Sequence, residues 1–280
     1  MENLVIHITG NGAKDFSVLI ANVLPDIQAQ FNGQCFPLYL YDVAAAETGN
    51  VHPSLFDTPQ AESKLVRRDA ITDAGLVHFQ EAYPGERISK EDLFYYVYGL
   101  LHSPDYRERY ADNLSKELPR ILRVKTAADF WAFSKAGRAL AELHLNYEAV
   151  EKYPLTIEIK GKRADDLSDA DYRVEKMKLA KKGDPTTVIY NSRITLKDIP
   201  PEAWDYVVNG KPALDWVMER QSVKTDKASG IVNDANDWAI ETMHNPKYPL
   251  ELFQRVVTVS LESIKIVKSL PALNVLPLLR

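Results

Sequence analysis

Near Tyr153 the apolar spacing of this 280-residue chain changes period, and that change constrains the fold more than any other feature. Before it, from Ile71 to Tyr147, apolar residues recur every three or four positions, the spacing of helices with one buried face. After it, Leu155, Ile157 and Ile159 alternate with Thr156, Glu158 and Lys160, the spacing of a half-buried strand. Helical spacing returns at Pro201 and recurs to Leu270. Strands, helices, strands and helices in blocks predict an α+β fold, with small mixed or antiparallel sheets and helical bundle segments. The same break divides the chain into residues 1–150, N-terminal strands plus a helical scaffold, and residues 151–280, a hairpin-rich half with C-terminal helices. The alternative is one compact domain.

Local signals place the elements. Leu4–Ile8 reads as a strand ending in the turn Thr9-Gly10-Asn11-Gly12, with further strands at Phe16–Ile20 and Phe36–Tyr41. Asp42 to about Arg68 reads as a long loop, and Ile71–Glu81 as an amphipathic helix. Ser89-Lys90-Glu91-Asp92 is a capping box that opens a helix to His102. Gly99 inside that helix costs about 1 kcal/mol relative to alanine, which predicts a neighbouring element crossing close to it. Ser103-Pro104 starts the next helix, stopped at or before Pro119. Thr126 to Asp129 caps another, with Phe130, Phe133, Gly137, Leu140 and His144 on one face. Tyr172–Ala180 is expected to be a bulged strand, and Thr186–Tyr190 with Arg193–Lys197 a hairpin across Asn191-Ser192. Helices are expected at Pro201–Val208, C-capped by Asn209-Gly210, at Lys211–Gln221 and at Pro249–Leu270, with an ordered loop over Lys224–Trp238.

Composition narrows the function. One cysteine, Cys35, excludes a disulfide framework and an all-cysteine zinc site, and fits a reducing compartment. The six histidines show no metal-ligand spacing. A net charge of −5 argues against a chain basic all over, though not against a local basic face. No signal peptide or membrane-spanning stretch is evident, so a cytoplasmic chain with no membrane partner is expected.

Three patterns imitate active sites. Gly10-x-Gly12 after a strand, followed by Asp42, outlines a dinucleotide or S-adenosylmethionine pocket but lacks the third glycine. Asn245-Pro246-Lys247-Tyr248 resembles the turn on which adenine methyltransferases hold a flipped base, with lysine for the second proline. Pro104-Asp105 with Glu158-Ile159-Lys160 imitates a Mg²⁺ nuclease, but several helices intervene. A hairpin turn, a helix-entry turn and a solvated strand face explain these patterns more simply.

The fourth signal is a basic cluster: Lys160, Lys162, Arg163, Arg173, Lys176, Lys178, Lys181 and Lys182, diluted by Asp165, Asp166, Asp169, Asp171 and Glu175. A two-residue turn would set Tyr190 opposite Arg193 and Ile189 opposite Ile194. Thr187, Ile189, Ile194 and Leu196 would then face the core. Val188, Tyr190, Arg193, Thr195 and Lys197 would face out, beside the turn residue Asn191, as a surface suited to DNA. Arg193 is the expected base reader and the lysines the phosphate contacts.

Several runs carry a resemblance across nearly the whole chain. They include Phe36 to Tyr41, Ile71 to Phe79, Tyr95-Tyr96-Val97-Tyr98-Gly99-Leu100-Leu101-His102-Ser103-Pro104-Asp105-Tyr106-Arg107 and Leu118 to Ile121. Tyr206-Val207-Val208-Asn209-Gly210-Lys211, Trp216 to Arg220 and Ser229 to Trp238 complete the set. The sequence resembles the C-terminal specificity region, or target recognition domain, of Type ISP restriction–modification enzymes. The resemblance implies duplex DNA as partner, together with an adenine N6-methyltransferase domain of the same parent polypeptide. It implies no cofactor and no catalysis in this chain, with S-adenosylmethionine, ATP and Mg²⁺ used elsewhere in the parent. The rival expectations are a methyltransferase-type fragment that binds S-adenosylmethionine, or a docking domain with little DNA contact.

Overall fold

A computed structural model describes residues 3–10, 12, 15–26, 28–43 and 65–277. Strand β1 (Val5–Ile8) pairs antiparallel with both β2 (Val18–Ala21) and β3 (Gln34–Pro37). The expected strand Phe36–Tyr41 is split at the buried Leu38, after which β4 (Tyr39–Val43) pairs with β5 (Leu65–Asp69). The middle of the expected Asp42–Arg68 loop lies outside the described residues, and its last four positions belong to β5. Antiparallel pairing on both sides of β1 is incompatible with the dinucleotide outline, which needs a parallel crossover.

Helix α1 (Asp73–Gln80) is capped by Thr72 and packs Phe79 inward. Helix α2 (Lys90–His102) opens on the capping box, with the Ser89 hydroxyl and the Asp92 carboxylate each accepting the other's backbone N–H. α3 (Pro104–Arg109) starts at the Ser103 cap, and α4 (Ala111–Leu114) ends before Pro119 is reached. α5 (Ala127–Leu145) lies across α2 at two glycines. A Cβ on Gly99 would stand 2.2 Å from the Phe133 carbonyl oxygen, and one on Gly137 would stand 1.9 Å from that of Tyr95. This close crossing is the reason glycine is kept inside both helices. Around it Tyr96 stacks on Phe130 with ring centroids 4.8 Å apart, and Arg138 reaches Glu91 and Asp92 at 2.6 and 3.0 Å.

Three tyrosine hydroxyls then bind alternate carbonyls of the extended segment that follows α4. Tyr106 donates to Arg120 at 2.8 Å, Tyr96 to Leu122 at 2.5 Å and Tyr83 to Val124 at 2.6 Å. Alternate carbonyls point the same way in extended chain, so one row of rings satisfies one edge. The other edge pairs with the end of the chain: Lys125 donates to the Asn274 carbonyl and Leu276 to that of Arg123.

In the second half, β6 (Thr156–Ile159), β7 (Lys178–Lys181), β8 (Asp184–Ile189) and β9 (Ile194–Lys197) form an antiparallel sheet in the order β6-β9-β8-β7. β6 is an edge strand, so Ile157 is 38% exposed rather than half-buried as its alternation predicts. The expected strand Tyr172–Ala180 is corrected. Asp169–Tyr172 is a 3-10 turn and 173–177 leaves the sheet. Val174 gives its N–H to the Asn236 side chain and takes one back, at 2.9 and 2.8 Å, while Glu175 accepts from Val223. The helix expected over Pro201–Val208 is only a 3-10 turn, Pro201–Trp204. The hairpin of β10 (Val207–Val208) and β11 (Lys211–Pro212) follows it. Asn209 and Gly210, at φ 52° and 74°, form its turn instead of capping a helix. After α6 (Ala213–Arg220), the expected loop Lys224–Trp238 contains a hairpin, β12 (Val223–Thr225) with β13 (Val232–Asp234), and the start of α7 (Ala235–Glu241).

The last helix, α8 (Tyr248–Lys268), joins two hydrophobic cores. Phe253 and Val257 lie in the second, with Val188, Tyr190, Ile194 and Leu196. Ile266 and Val267 pack on the first, with Ile6, Tyr96, Phe130 and Leu140. Where the halves meet, His144 is held by Tyr98, Ser263 and Tyr206 at 2.7, 2.9 and 3.2 Å. Burial holds the His144 imidazole well down, at a pKa of about 4.

Candidate nucleic-acid interface

The hairpin of β8 and β9 turns on Asn191. Its Oδ1 accepts the N–H groups of Arg193 and Ile194 at 2.9 and 2.7 Å, and its Nδ2 donates to the Asp171 and Arg173 carbonyls at 2.9 Å each. This side-chain turn draws Arg193 into the connection, so it has three residues, not two. Val188 therefore lies opposite Leu196, and Ile189 opposite Thr195. A one-residue slip exchanges the two faces of a strand. Tyr190 and Val188, expected outside, are fully buried, and Ile189 and Thr187, expected inside, lie on the outer face. The Tyr190 hydroxyl donates to the Tyr172 carbonyl at 2.6 Å, and burial pushes its phenol pKa up. Tyr190 and Asn191 are thus structural groups with their hydrogen bonds made inside the protein. Arg193, Thr195 and Lys197 keep the outward placement that the pairing predicts.

That outer face carries Glu158 and Lys160 from β6 and its end, Arg193, Thr195 and Lys197 from β9, Ile189 from β8 and Lys178 from β7. A groove of 510 Å³ runs beside it, lined by Asp171, Arg173, Lys176, Lys178, Ile189 and Arg193 among others. The segment 170–176 forms its far wall, anchored through Asn236 as described above.

The expected cations divide into two groups. Four are held by carboxylates. Arg193 and Lys162 reach Asp171 at 2.8 and 2.7 Å, Arg173 reaches Asp234 at 2.5 Å, and Lys197 reaches Glu158 at 2.8 Å. Lys160, Arg163, Lys176, Lys178, Lys181 and Lys182 form no side-chain ion pair among the described residues. Lys160, Lys176 and Lys178 border the outer face, while Lys181 and Lys182 sit at the β7–β8 turn and Arg163 before a 3-10 turn.

Sequence reasoning counted Asp171 only as a diluting charge. In the structure its side chain is 7% exposed and organises the cluster. Ser168 N–H and Oγ donate to Oδ2 at 2.8 Å each. The Lys162 and Ser168 hydrogen bonds hold its carboxyl well below the usual range. The signal was legible: Ser168-Asp169-Ala170-Asp171 has the spacing of a capping box. Ile189 was missed through the register slip.

The three enzyme-like patterns are absorbed by the fold. Asp105 accepts the Leu273 N–H at 3.0 Å, and Glu158 pairs with Lys197. Asn245 Oδ1 accepts the Lys247 N–H at 3.0 Å, making the entry turn of α8. Tyr248 is buried with its hydroxyl on Glu148. Among the described residues no helix is long and apolar enough to cross a membrane, and no cluster of three or more His, Cys, Asp or Glu could hold a metal.

The family model described as the Type ISP C-terminal specificity domain matches residues 1–252. The solved structure of the ATP-dependent Type ISP restriction-modification enzyme LlaBIII bound to DNA is similar over 99% of this chain, with 38% identity and a TM-score of 0.79. A nuclease-deletion mutant of the Type ISP enzyme LlaGI with a DNA substrate mimic follows, at 99%, 36% and 0.75. A DrdV–DNA complex matches at 97%, 33% and 0.74. This chain spans 16%, 22% and 25% of those three proteins. No curated protein matches it.

Proposed function

The chain belongs to the Type ISP C-terminal specificity domain family, and we propose that it binds duplex DNA and reads a short asymmetric site as the target recognition domain of a Type ISP restriction–modification enzyme. The observation that carries this reading is the likeness, over 99% of the chain at 38% identity, to part of an enzyme solved on DNA. The outer face of the β6–β9 sheet supports it, because it sets unpaired lysines around a groove in a chain that is acidic overall. Unpaired lysines bind phosphate and release counterions, and groups in the groove read base edges.

Residues 151–280 are the reading half in this proposal, and residues 1–150 the scaffold. Catalysis belongs to other domains of the parent: an adenine N6-methyltransferase using S-adenosylmethionine, and an ATP- and Mg²⁺-dependent translocase and nuclease. The isolated chain has no catalytic activity and docks on the methyltransferase domain to present one adenine.

The test is selection of the full chain against a randomised duplex library, followed by sequencing. One enriched asymmetric motif is expected. No enrichment and no binding to duplex at low salt would overturn the proposal, as would stoichiometric binding of S-adenosylmethionine by calorimetry.

A further inference from the structure

Arg193 differs from the lysines of the groove in being held by its neighbours. Its Nε forms an ion pair with Asp171 Oδ1 at 2.8 Å, and its Nη1 donates to the Lys160 carbonyl at 3.1 Å. A guanidinium carries five N–H donors in one plane. The hydrogen bond to Lys160 occupies one Nη1 proton and the ion pair fixes the Nε side, while the side chain stays 34% exposed at the groove. The protons of Nη2, for which no partner in the fold is seen, are the ones an arginine can turn to O6 and N7 of guanine in the major groove.

The carboxylate partner is itself fixed. Asp171 Oδ2 is taken by the Ser168 N–H and hydroxyl and by Lys162 Nζ, leaving Oδ1 for Arg193. A neutralised arginine gains little from phosphate, whereas an arginine whose plane is set before binding loses less freedom on meeting a base. Lys176 and Lys178, on the same groove without carboxylate partners, have the opposite character.

We propose that Arg193 reads one guanine of the target site and that Asp171 is the positioning residue that orients its guanidinium. The proposal rests on the DNA-reading function above. Arg193→Lys keeps the charge and removes the fork. Asp171→Asn keeps the shape and removes the charge that holds the fork.

The experiment repeats the library selection with the full chain, Arg193→Lys and Asp171→Asn, alongside their melting temperatures. The expected result is a wild-type motif with one guanine whose preference falls about tenfold in both variants, while the other positions are retained. Should Asp171→Asn not fold, Arg193→Lys alone decides, since its side chain is partly exposed. If the variants retain every base preference and lose only overall affinity, Arg193 and Asp171 merely brace the hairpin and the inference fails while DNA reading stands. If the wild-type chain enriches nothing, the proposed function fails and the inference with it.

Discussion

In the first half of the molecule, the polar groups of long side chains are directed inward at backbone: the hydroxyls of Tyr83, Tyr96 and Tyr106 all end on carbonyls of residues 120–124. In the second half, the sheet directs only Tyr190 inward in this way and turns Lys160, Lys178, Arg193, Thr195 and Lys197 outward. The first arrangement fixes a scaffold, since the three hydroxyls tie down one extended segment and satisfy the carbonyl of the buried Val124. The second leaves a face with donors to spare. Strand register thus decides which side chains are buried, and carboxylate supply decides which surface cations stay without an ion pair.

The largest effect that could break this comparison is at the helix crossing. Gly99→Leu should destabilise by more than about 2 kcal/mol through overpacking against the Phe133 carbonyl, with Gly137→Val similar. Chemical denaturation measures it, and an unchanged midpoint would mean that α2 and α5 are not locked.

The junction between the halves gives the next effect. In the folded chain burial keeps the His144 imidazole neutral down to about pH 4, whereas in the unfolded chain it takes a proton near its ordinary 6.5. Between those values the unfolded state holds more protons, so stability falls as pH falls, by up to about 1.4 kcal/mol per pH unit. His102, also lowered by burial and by the nearby Arg107, adds in the same direction. Urea midpoints at pH 7, 6 and 5 should converge for His144→Gln relative to the parent. An equal pH dependence in both would show that the site is open to solvent.

Tyr190 sharpens the contrast within the second half. Tyr190→Phe should cost about 1–2 kcal/mol by leaving the Tyr172 carbonyl unpaired, and it should leave DNA affinity unchanged once the protein is folded. A specific loss of binding without loss of stability would return Tyr190 to the outer surface.

Much of the scaffold was legible because its signals are local. The capping residues Ser89, Ser103 and Thr126 each lie within three residues of the N–H they accept from, and Gly99 stands out against helix propensity. The second half was less legible because its decisive contacts are distant. Residues 173–177 leave the sheet through Asn236, 62 positions from Val174. The hairpin register depends on Asn191 reaching the carbonyls of Asp171 and Arg173, about which strand alternation carries no information. Tyr190 changes face with that register, while residues of β9 keep theirs because the slip moves only β8.

The smallest effect on folding is the most direct test of the division between scaffold and reading face. Fluorescence anisotropy of a labelled duplex, titrated with the parent and with the triple variant Lys160→Ala, Lys176→Ala and Lys178→Ala at several salt concentrations, measures it. A lysine on phosphate contributes about one unit to the slope of log affinity against log salt. The expected slope is shallower by about three units, with the melting temperature unchanged because these side chains form no ion pair in the fold. An identical slope and affinity in parent and triple variant would contradict it and move the DNA off the outer face of the β6–β9 sheet.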